Sequence, residues 1–402
     1  MIQLQNNTHH RSKYPMSLKR ELAGRWLTVW STAILLITAN AAYAQTPADK
    51  PASNPNAAAE SSTPTPNPHD AEFSDYRFRD SESLARLRLH YVTLGTPHRD
   101  SHGQIDNAVL VLHWTASSGA SMLSPEFMRS LYAPGQPLDA SRYYLIIPDN
   151  IGHGQSSKPS DGLKTKFPHY GYGDMVDLQH KLVTEVLGVK QLLAIVGVSM
   201  GGMNAWQWAE TYPDDVKAVM PIVSLPVKVS GRNLLWRRIV IDGIRKDPGW
   251  DNGKYTAPIF ASIQGWRVSR MMIDGVPHLQ SSVPDTQAAE AFLHATDQQT
   301  ARSDANDLLY SLESSQDYDP QPKLESIKAS LFALNFTDDE FNPDELQILQ
   351  SNIHRVPHGT YFVQKGGTDT FGHLTMAHPA LWAEQVRRFM NRVHGDTSTA
   401  SK

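Results

Sequence analysis

Leu192-Leu193-Ala194-Ile195-Val196-Gly197-Val198-Ser199-Met200-Gly201-Gly202-Met203 joins a strand pattern to a helical one. The aliphatic run ending at Gly197 has the character of a buried strand. After Ser199, the residues Met203, Trp206 and Ala209 recur at three-residue steps, as on one face of a helix. Between them, Gly197-x-Ser199-x-Gly201 has the spacing of a nucleophile elbow. A serine forced onto a tight strand-to-helix turn presses the residues two places away against that turn, where only a hydrogen side chain fits without strain. The serine hydroxyl is then exposed at the positive end of a helix, beside the backbone N–H of Met200, which can stabilise an oxyanion. A Gly/Ser turn before an ordinary helix uses the same letters. The strand before and the helix after favour the catalytic reading.

Working outward, residues 109–113, 144–148, 192–196, 216–223 and 330–336 are short continuous apolar runs, typical of central parallel strands covered on both faces. Helical patterns lie between them. Asp174 is placed to cap a helix carrying Met175, Leu178, Leu182, Val183 and Val186, stopped by Gly188. Alternating strands and helices argue for an α/β fold, a mostly parallel doubly wound sheet with helices on both faces. Upstream, Leu84, Leu87, Leu89 and Tyr91 alternate with Arg86, Arg88 and His90, which suggests an antiparallel strand or hairpin at a sheet edge, ended by Gly95-Thr96-Pro97. From about 225 to 322 the strand-like runs disappear. Trp236, Trp250, Trp266, Met271, Met272 and Phe292 are scattered there among helix-compatible stretches. The strand pattern resumes at Ser330, so this reads as a helical cap inserted after the fifth parallel strand, with a separate second domain as the alternative.

A nucleophilic serine needs a histidine base and a carboxylate to orient it; where the serine sits on a nucleophile elbow, the three follow in the chain order serine, acid, histidine. Thr337-Asp338-Asp339-Glu340-Phe341-Asn342-Pro343 follows the 330–336 strand at its C-terminal end, where active-site groups of such sheets sit. Asp339 is the expected acid, with Asp338 the close alternative, and either could instead cap a helix. Thr360-Tyr361-Phe362-Val363 reads as a last strand, followed by the glycine-rich loop Gly366-Gly367-Thr368-Asp369-Thr370-Phe371-Gly372-His373. His373 is the expected base. His378, next to Pro379, resembles a helix-start residue. The second oxyanion donor belongs in His113-Trp114-Thr115-Ala116-Ser117-Ser118-Gly119, with the Thr115 N–H favoured over that of Trp114. The loop 149–157 carries glycines that permit a tight approach to the site, and His153 within it reads as structural.

The chain has 402 residues, 40% hydrophobic and 19% charged, with a formal charge of −4, so it carries no basic footprint for nucleic acid. The absence of cysteine excludes disulfides, thiol catalysis, a lipidated cysteine anchor and Cys-ligated zinc. No H-E-x-x-H spacing, P-loop or dinucleotide fingerprint is present, and no cofactor or metal is expected. Residues 1–44 read as a signal peptide. Lys13, Lys19, Arg20 and Arg25 precede an apolar run from Trp26 to Ala39, and Ala42-Tyr43-Ala44 matches a cleavage site. The run is short of the ~20 residues that span a bilayer, although a retained anchor is the alternative; a start at Met16 would give a more ordinary signal. Cleavage after Ala44 removes five basic residues and one acid, leaving about −8, and places the mature chain in the periplasm or outside the cell. Residues 45–72 are rich in Pro, Ala, Asn, Ser and Thr and read as a disordered linker, with order beginning near Phe73. The catalytic domain is expected over 73–395, and 396–402 reads as a disordered tail.

Together these motifs resemble the α/β-hydrolase superfamily and, within it, the homoserine O-acetyltransferase family. The likeness rests on the elbow with its helix, on Asn107–His113, on Leu138-Asp139-Ala140-Ser141-Arg142-Tyr143-Tyr144, and on Asp174-Met175-Val176. In the cap it rests on Asp247-Pro248-Gly249-Trp250-x-x-Gly253-x-Tyr255 and Asp304-Ala305-Asn306-x-Leu308. The resemblance covers about residues 73–395. It implies Ser199 as nucleophile, Asp339 as acid, His373 as base, the Thr115 and Met200 amides as oxyanion hole, and a homodimer. Two departures stand out. That family usually has an aspartate directly after the catalytic histidine and an arginine six residues before the Asp-Pro-x-Trp motif, both linked to the acceptor amino acid. Here the residues are Leu374 and Ile241, with Arg237 and Arg238 one turn away. The expectation is an exported serine hydrolase acting on a small acyl ester. An acyltransferase moving acetyl from acetyl-CoA to an alcohol is the alternative, and a catalytically silent binding protein of the same fold is a third reading.

Overall fold

The apolar runs become the inner strands of one eight-stranded sheet in the computed structural model, which describes residues 63–400, with side chains to 395. In chain order the elements are β1 (Asn67–Arg77), β2 (Ser83–Leu94), β3 (Ala108–Leu112), the single turn α1 (Pro125–Phe127), β4 (Tyr144–Pro148), α2 (Tyr172–Lys181), β5 (Ala194–Val198), α3 (Met200–Thr211) and β6 (Ala218–Ile222). The cap helices follow as α4 (Gly231–Lys246), α5 (Phe260–Ile273), α6 (Val276–Ser282), α7 (Thr286–Thr300) and α8 (Ala305–Glu313). The sheet is then completed by β7 (Ser330–Phe336), α9 (Ile348–Ile353), β8 (Gly359–Gln364) and α10 (Ala383–Ala400).

The strand order is β1-β2-β4-β3-β5-β6-β7-β8. From β4 to β8 all neighbours are parallel, while β2 runs antiparallel to both β1 and β4, the edge hairpin that its alternation implied. Strands β3 to β6 are buried along their whole length, and the pleat sends alternate residues to opposite cores. Leu110, Leu112 and Ile195 pack with Met175, Leu178 and Trp206 of α2 and α3. Val109, Val111 and Val196 pack with Val386, Phe389 and Met390 of α10. A separate apolar cluster, including Trp236, Ile241, Trp250 and Leu309, holds the cap together. From β3 the chain steps to β4 on one side and then to β5 on the other. The crevice beyond the carboxyl ends of β3 and β5 is therefore the topological switch point where such sheets bind ligands.

Several expectations need correction. Order begins at least as early as Asn67 and not near Phe73, so residues 67–72 of the expected linker form the first half of β1. Their polar composition gives no apolar alternation, but backbone pairing to β2 does not need one. The hairpin is reinforced by stacking of His69 on Tyr91, with ring centroids 5.1 Å apart, and by the 2.9 Å pair of His90 with Asp70. At the other end α10 continues to Ala400, through most of the expected tail, because a polar sequence without proline limits burial and not helicity. The cap follows the fourth parallel strand in the chain, β6, and not the fifth. Asp174 does not sit at the N-cap of α2. It lies in the first turn, and its carboxylate accepts from the N–H of Gly171 and of Arg79, both at 2.9 Å. The expected signal peptide and residues 45–62 of the linker lie outside the described residues, and residues 63–66 have no regular secondary structure.

Two buried histidines hold the loops after β3 and β4. His113 donates from Nδ1 to the Trp114 carbonyl and accepts the Asn150 N–H at Nε2; His153 donates to the Ile151 carbonyl and accepts the Ser311 hydroxyl. Both acceptor roles require neutral rings. Burial lowers the pKa of His113 to about 4, and burial together with the nearby His113 lowers that of His153 to about 3. With an unfolded value of about 6.5, the unfolded chain binds the extra protons, so this contribution to stability is present above pH 6.5 and is lost as pH falls toward 4. Glu210 and Asp307, raised by burial to about 7 and about 6, act with the opposite sign. The discriminating quantity is therefore a difference: the urea midpoint of the wild type should fall more steeply between pH 6.5 and 4 than that of His153→Gln.

The elbow glycines are tested more simply. A Cβ on Gly201 would lie 2.3 Å from the Leu112 carbonyl oxygen, and one on Gly197 would lie 2.1 Å from that of Gly201. Both obstacles are backbone. Gly201→Ala should lower unfolding stability by about 2 kcal/mol or more, read from urea titration.

Candidate active site

Ser199 is the hinge between β5 and α3, with φ 53° and ψ −112°. That is a strained conformation for a non-glycine residue. Its N–H donates to the Ile222 carbonyl at 2.9 Å, which ties the turn to the end of β6. The side chain projects from the carboxyl end of the sheet, where the loops after β7 and β8 bring the other two groups. Ser199 Oγ lies 2.8 Å from His373 Nε2, and His373 Nδ1 lies 2.8 Å from Asp339 Oδ2. All three side chains are buried, with Asp339 only 1% exposed.

The acid is held by its own loop. Asp339 Oδ1 accepts from the N–H of Phe341 at 2.8 Å and of Asn342 at 3.2 Å, and Oδ2 accepts from the Asn342 side-chain amide at 2.8 Å. The same amide donates to the Val223 carbonyl at 2.9 Å. With its lone pairs taken up in this way, the carboxylate offers Oδ2 to the imidazole in one orientation. Asp338 turns the other way. Its Oδ2 accepts the Thr370 hydroxyl at 2.6 Å and the Gly372 N–H at 3.2 Å, so it ties down the loop that carries His373. His378 stands apart from the serine, with Nδ1 3.3 Å from Glu126. His153, within the loop after β4, is buried and bonded as described above.

Ser199 and His373 open into a cavity of about 180 Å³ roofed by the cap. The sheet side contributes Trp114, Thr115 and Leu374, and the cap contributes Trp236, Arg237 and Trp266. Thr115 thus lines the same cavity as the nucleophile, and Met200 is the first residue of α3, where N–H groups lack intrahelical partners. Phe341 links the two halves: its ring meets His373 edge-on at 5.2 Å and stacks on Trp236 at 5.4 Å.

Three residues of this site escaped the sequence reading. Asn342 and Phe341 lay in the stretch quoted for the acid, but nothing in their spacing distinguishes an amide that braces a carboxylate from a turn residue. Arg237 stood out in sequence only as a neighbour of position 241. Among the described residues, Asp80, Glu82 and His169 form one group with ligand atoms within 4.8 Å of one another. All three are exposed, and Glu82 is already engaged by the His169 N–H. The same residues include no helix long and apolar enough to cross a membrane.

A serine hydroxyl bonded to an imidazole that a buried carboxylate holds is the arrangement of acyl-transfer chemistry through a covalent intermediate. The family model of the alpha/beta hydrolase fold matches residues 131–383. A probable acyltransferase of Methanothermobacter thermautotrophicus is 27% identical over 287 residues, 69% of this chain and 84% of that one. A homoserine O-acetyltransferase of Deferribacter desulfuricans is 31% identical over 212 residues, 49% of this chain and 54% of that one. The chain spans about half the length of the homoserine O-acetyltransferases it matches. Among solved structures, an acetylester hydrolase from Corynebacterium glutamicum has a TM-score of 0.71 at 21% identity, covering 81% of this chain and 96% of that one. A homoserine O-acetyltransferase from Bacillus anthracis has the same TM-score at 20% identity, covering 81% and 98%. At such identities the likeness is one of fold, and the fold serves hydrolase and transferase alike. The chain belongs to the α/β-hydrolase fold family, is kin to its homoserine O-acetyltransferases and esterases, and is an enzyme of the hydrolase or acyltransferase type.

Proposed function

We propose that this chain is an exported serine hydrolase that cleaves a small carboxylic ester. The observation that carries the choice of hydrolysis is Leu374. It follows His373 directly and lines the cavity, where the transferase resemblance calls for an aspartate. Ile241, where the resemblance calls for an arginine, is 2% exposed within the apolar core of the cap. A zwitterionic acceptor would bring an ammonium into a cavity whose described lining includes no carboxylate, at a loss of about 3 kcal/mol or more in binding. Water needs no such partners. The expected leader supports the same reading, since an exported enzyme meets water everywhere and little acetyl-CoA.

In this mechanism Ser199 Oγ attacks the ester carbonyl while His373 Nε2 takes its proton. The N–H groups of Met200 and Thr115 hold the developing oxyanion. Asp339 keeps the imidazole in the Nδ1–H tautomer and stabilises the imidazolium. His373 then gives the proton to the departing alkoxide, which leaves as the alcohol. A water molecule, deprotonated by His373, attacks the acyl-enzyme; the carboxylic acid departs and the proton returns to Ser199.

Acyl transfer is the second reading, favoured by the name of the Methanothermobacter relative. The two readings separate in one experiment with the chain from Gln45 onward and its Ser199→Ala variant. Acetate release from p-nitrophenyl acetate that vanishes in the variant, without acetyl transfer from acetyl-CoA to homoserine, is the expected result. Efficient transfer to homoserine would overturn the hydrolase reading. The two neighbouring aspartates give a sharper test of the site. Asp339→Asn should lower kcat by about 10⁴, since an amide favours the wrong imidazole tautomer. Asp338→Asn should act mainly on stability, with a far smaller kcat effect. Equal losses in the two variants would remove Asp339 from its role.

A further inference from the structure

The cavity over Ser199 holds a buried charge with no counter-ion. Arg237, on α4, is 3% exposed and lines the same cavity as Ser199 and His373. Its Nε donates to Asn233 Oδ1 at 2.9 Å, while Nη1 is buried without a hydrogen-bond partner. No carboxylate lies within ion-pair distance of it among the described residues, whereas the cavity's other arginine, Arg270, is paired with Asp274 at 3.3 Å. The Arg237 guanidinium and the Thr115 side chain approach the Tyr172 hydroxyl and offset part of the upward pull of burial on its pKa. That hydroxyl, too, is buried without a partner. An arginine cannot shed its proton, so burying it unpaired is unfavourable unless an anion arrives to pair with it. The described lining of the cavity includes no Asp or Glu, so an ammonium would find no carboxylate partner there.

We propose that Arg237 is the specificity-determining residue of this site and that the substrate is an ester bearing a carboxylate, held by the Arg237 guanidinium while Ser199 attacks the ester carbonyl. The match is to a simple anion and not to a zwitterion: one positive group is offered and no negative one. The carboxylate can sit on the acyl side, as in a half-ester of a dicarboxylic acid, or on the alcohol side, as in an acylated hydroxy acid. Both present the same chemistry to Arg237. This proposal rests on the ester-hydrolase reading for its kinetic test and carries a binding test that does not.

Two ester pairs of matched length decide it. Methyl butyrate against monomethyl succinate places the charge on the acyl side, and butyl acetate against 4-acetoxybutyrate places it on the alcohol side. In the wild type, kcat/KM for the charged member of one pair should exceed that of its neutral partner by about 30-fold or more, and the pair that shows it identifies the side. In Arg237→Gln the ratio should fall toward one. Arg237→Lys keeps the charge but loses the planar fork and should give an intermediate ratio, which serves where the glutamine variant does not fold. Charged and neutral esters turned over equally by the wild type, or a ratio that survives both substitutions, would overturn the proposal. Independently, butyrate should raise the Tm of the wild type and of Arg237→Lys more than that of Arg237→Gln, while 1-butanol should not. If no ester is turned over but this Tm pattern appears, the anion site stands and the hydrolase reading falls. Butyrate without effect on any form, at concentrations that saturate ordinary carboxylate sites, would overturn the anion site whatever the esterase result.

Discussion

The backbone of Ser199 is the constraint around which the molecule is built. A φ of 53° with ψ −112° is uphill for a residue with a Cβ, by about 1–3 kcal/mol, and persists only where the surroundings over-determine it. Here they do. Strand β5 is paired on both sides, by β3 and β6, and the Ser199 N–H is fixed on the Ile222 carbonyl. Helix α3 is buried along most of its length, with Trp206 and Trp208 fully enclosed. The glycines two residues away let β5, α3 and β3 close to backbone contact. A second strained residue, Val223 with φ 46°, sits at the end of the adjacent strand, its N–H held by the Leu334 carbonyl and its own carbonyl by Asn342. The two strained positions lie on neighbouring strand ends, and the amide that fixes the second also fixes the catalytic carboxylate.

Satisfaction of buried polar groups explains why one aspartate of the adjacent pair serves and the other does not. Asp339 receives three donors from residues 341 and 342, which leaves Oδ2 facing the imidazole at 2.8 Å. Asp338 spends its Oδ2 on Thr370 and Gly372 and so sets the height of the loop on which His373 rides. One carboxylate orients the base and its neighbour orients the base's loop. Around this well-paired centre the cap adds aromatic walls, and Phe341 couples cap and triad through its contacts with Trp236 and His373.

The parts legible in the sequence were those with a short-range cause. Continuous apolar runs gave the inner strands, because a strand covered on both faces must be apolar at every position, and the period-two run gave the antiparallel hairpin. The elbow was legible because its glycines answer a local steric demand, and the loss of strand pattern after residue 225 marked the cap. What stayed hidden depends on contacts between distant segments. Residues 67–72 pair with β2 through the backbone and through polar side chains such as His69 and Asp70, so they show no apolar alternation. Asp339 could not be separated from Asp338 by spacing, since the choice lies in which way each carboxylate turns. Asn342 and Arg237 have meaning only once β7, α4 and α3 are brought to the same end of the sheet.

Hydrolysis and acyl transfer share every step up to the acyl-enzyme, and they diverge only in what reaches it. The sheet, elbow and triad are therefore silent on the distinction, which is why a hydrolase and a transferase superpose on this chain equally well. On the proposed reading the distinguishing groups line the cavity, Leu374 beside the base and Arg237 on the cap. An apolar residue next to His373 leaves water as the competitor that needs no binding site, and any acceptor alcohol must gain its advantage from contacts with the cap. Because the cap enters between β6 and β7 as an insertion with its own apolar core, its lining can change without disturbing the strained serine below it. Chemistry and selectivity are thus carried by two separately stabilised layers. Phe341 joins them, its ring lying between Trp236 of the cap and the base His373.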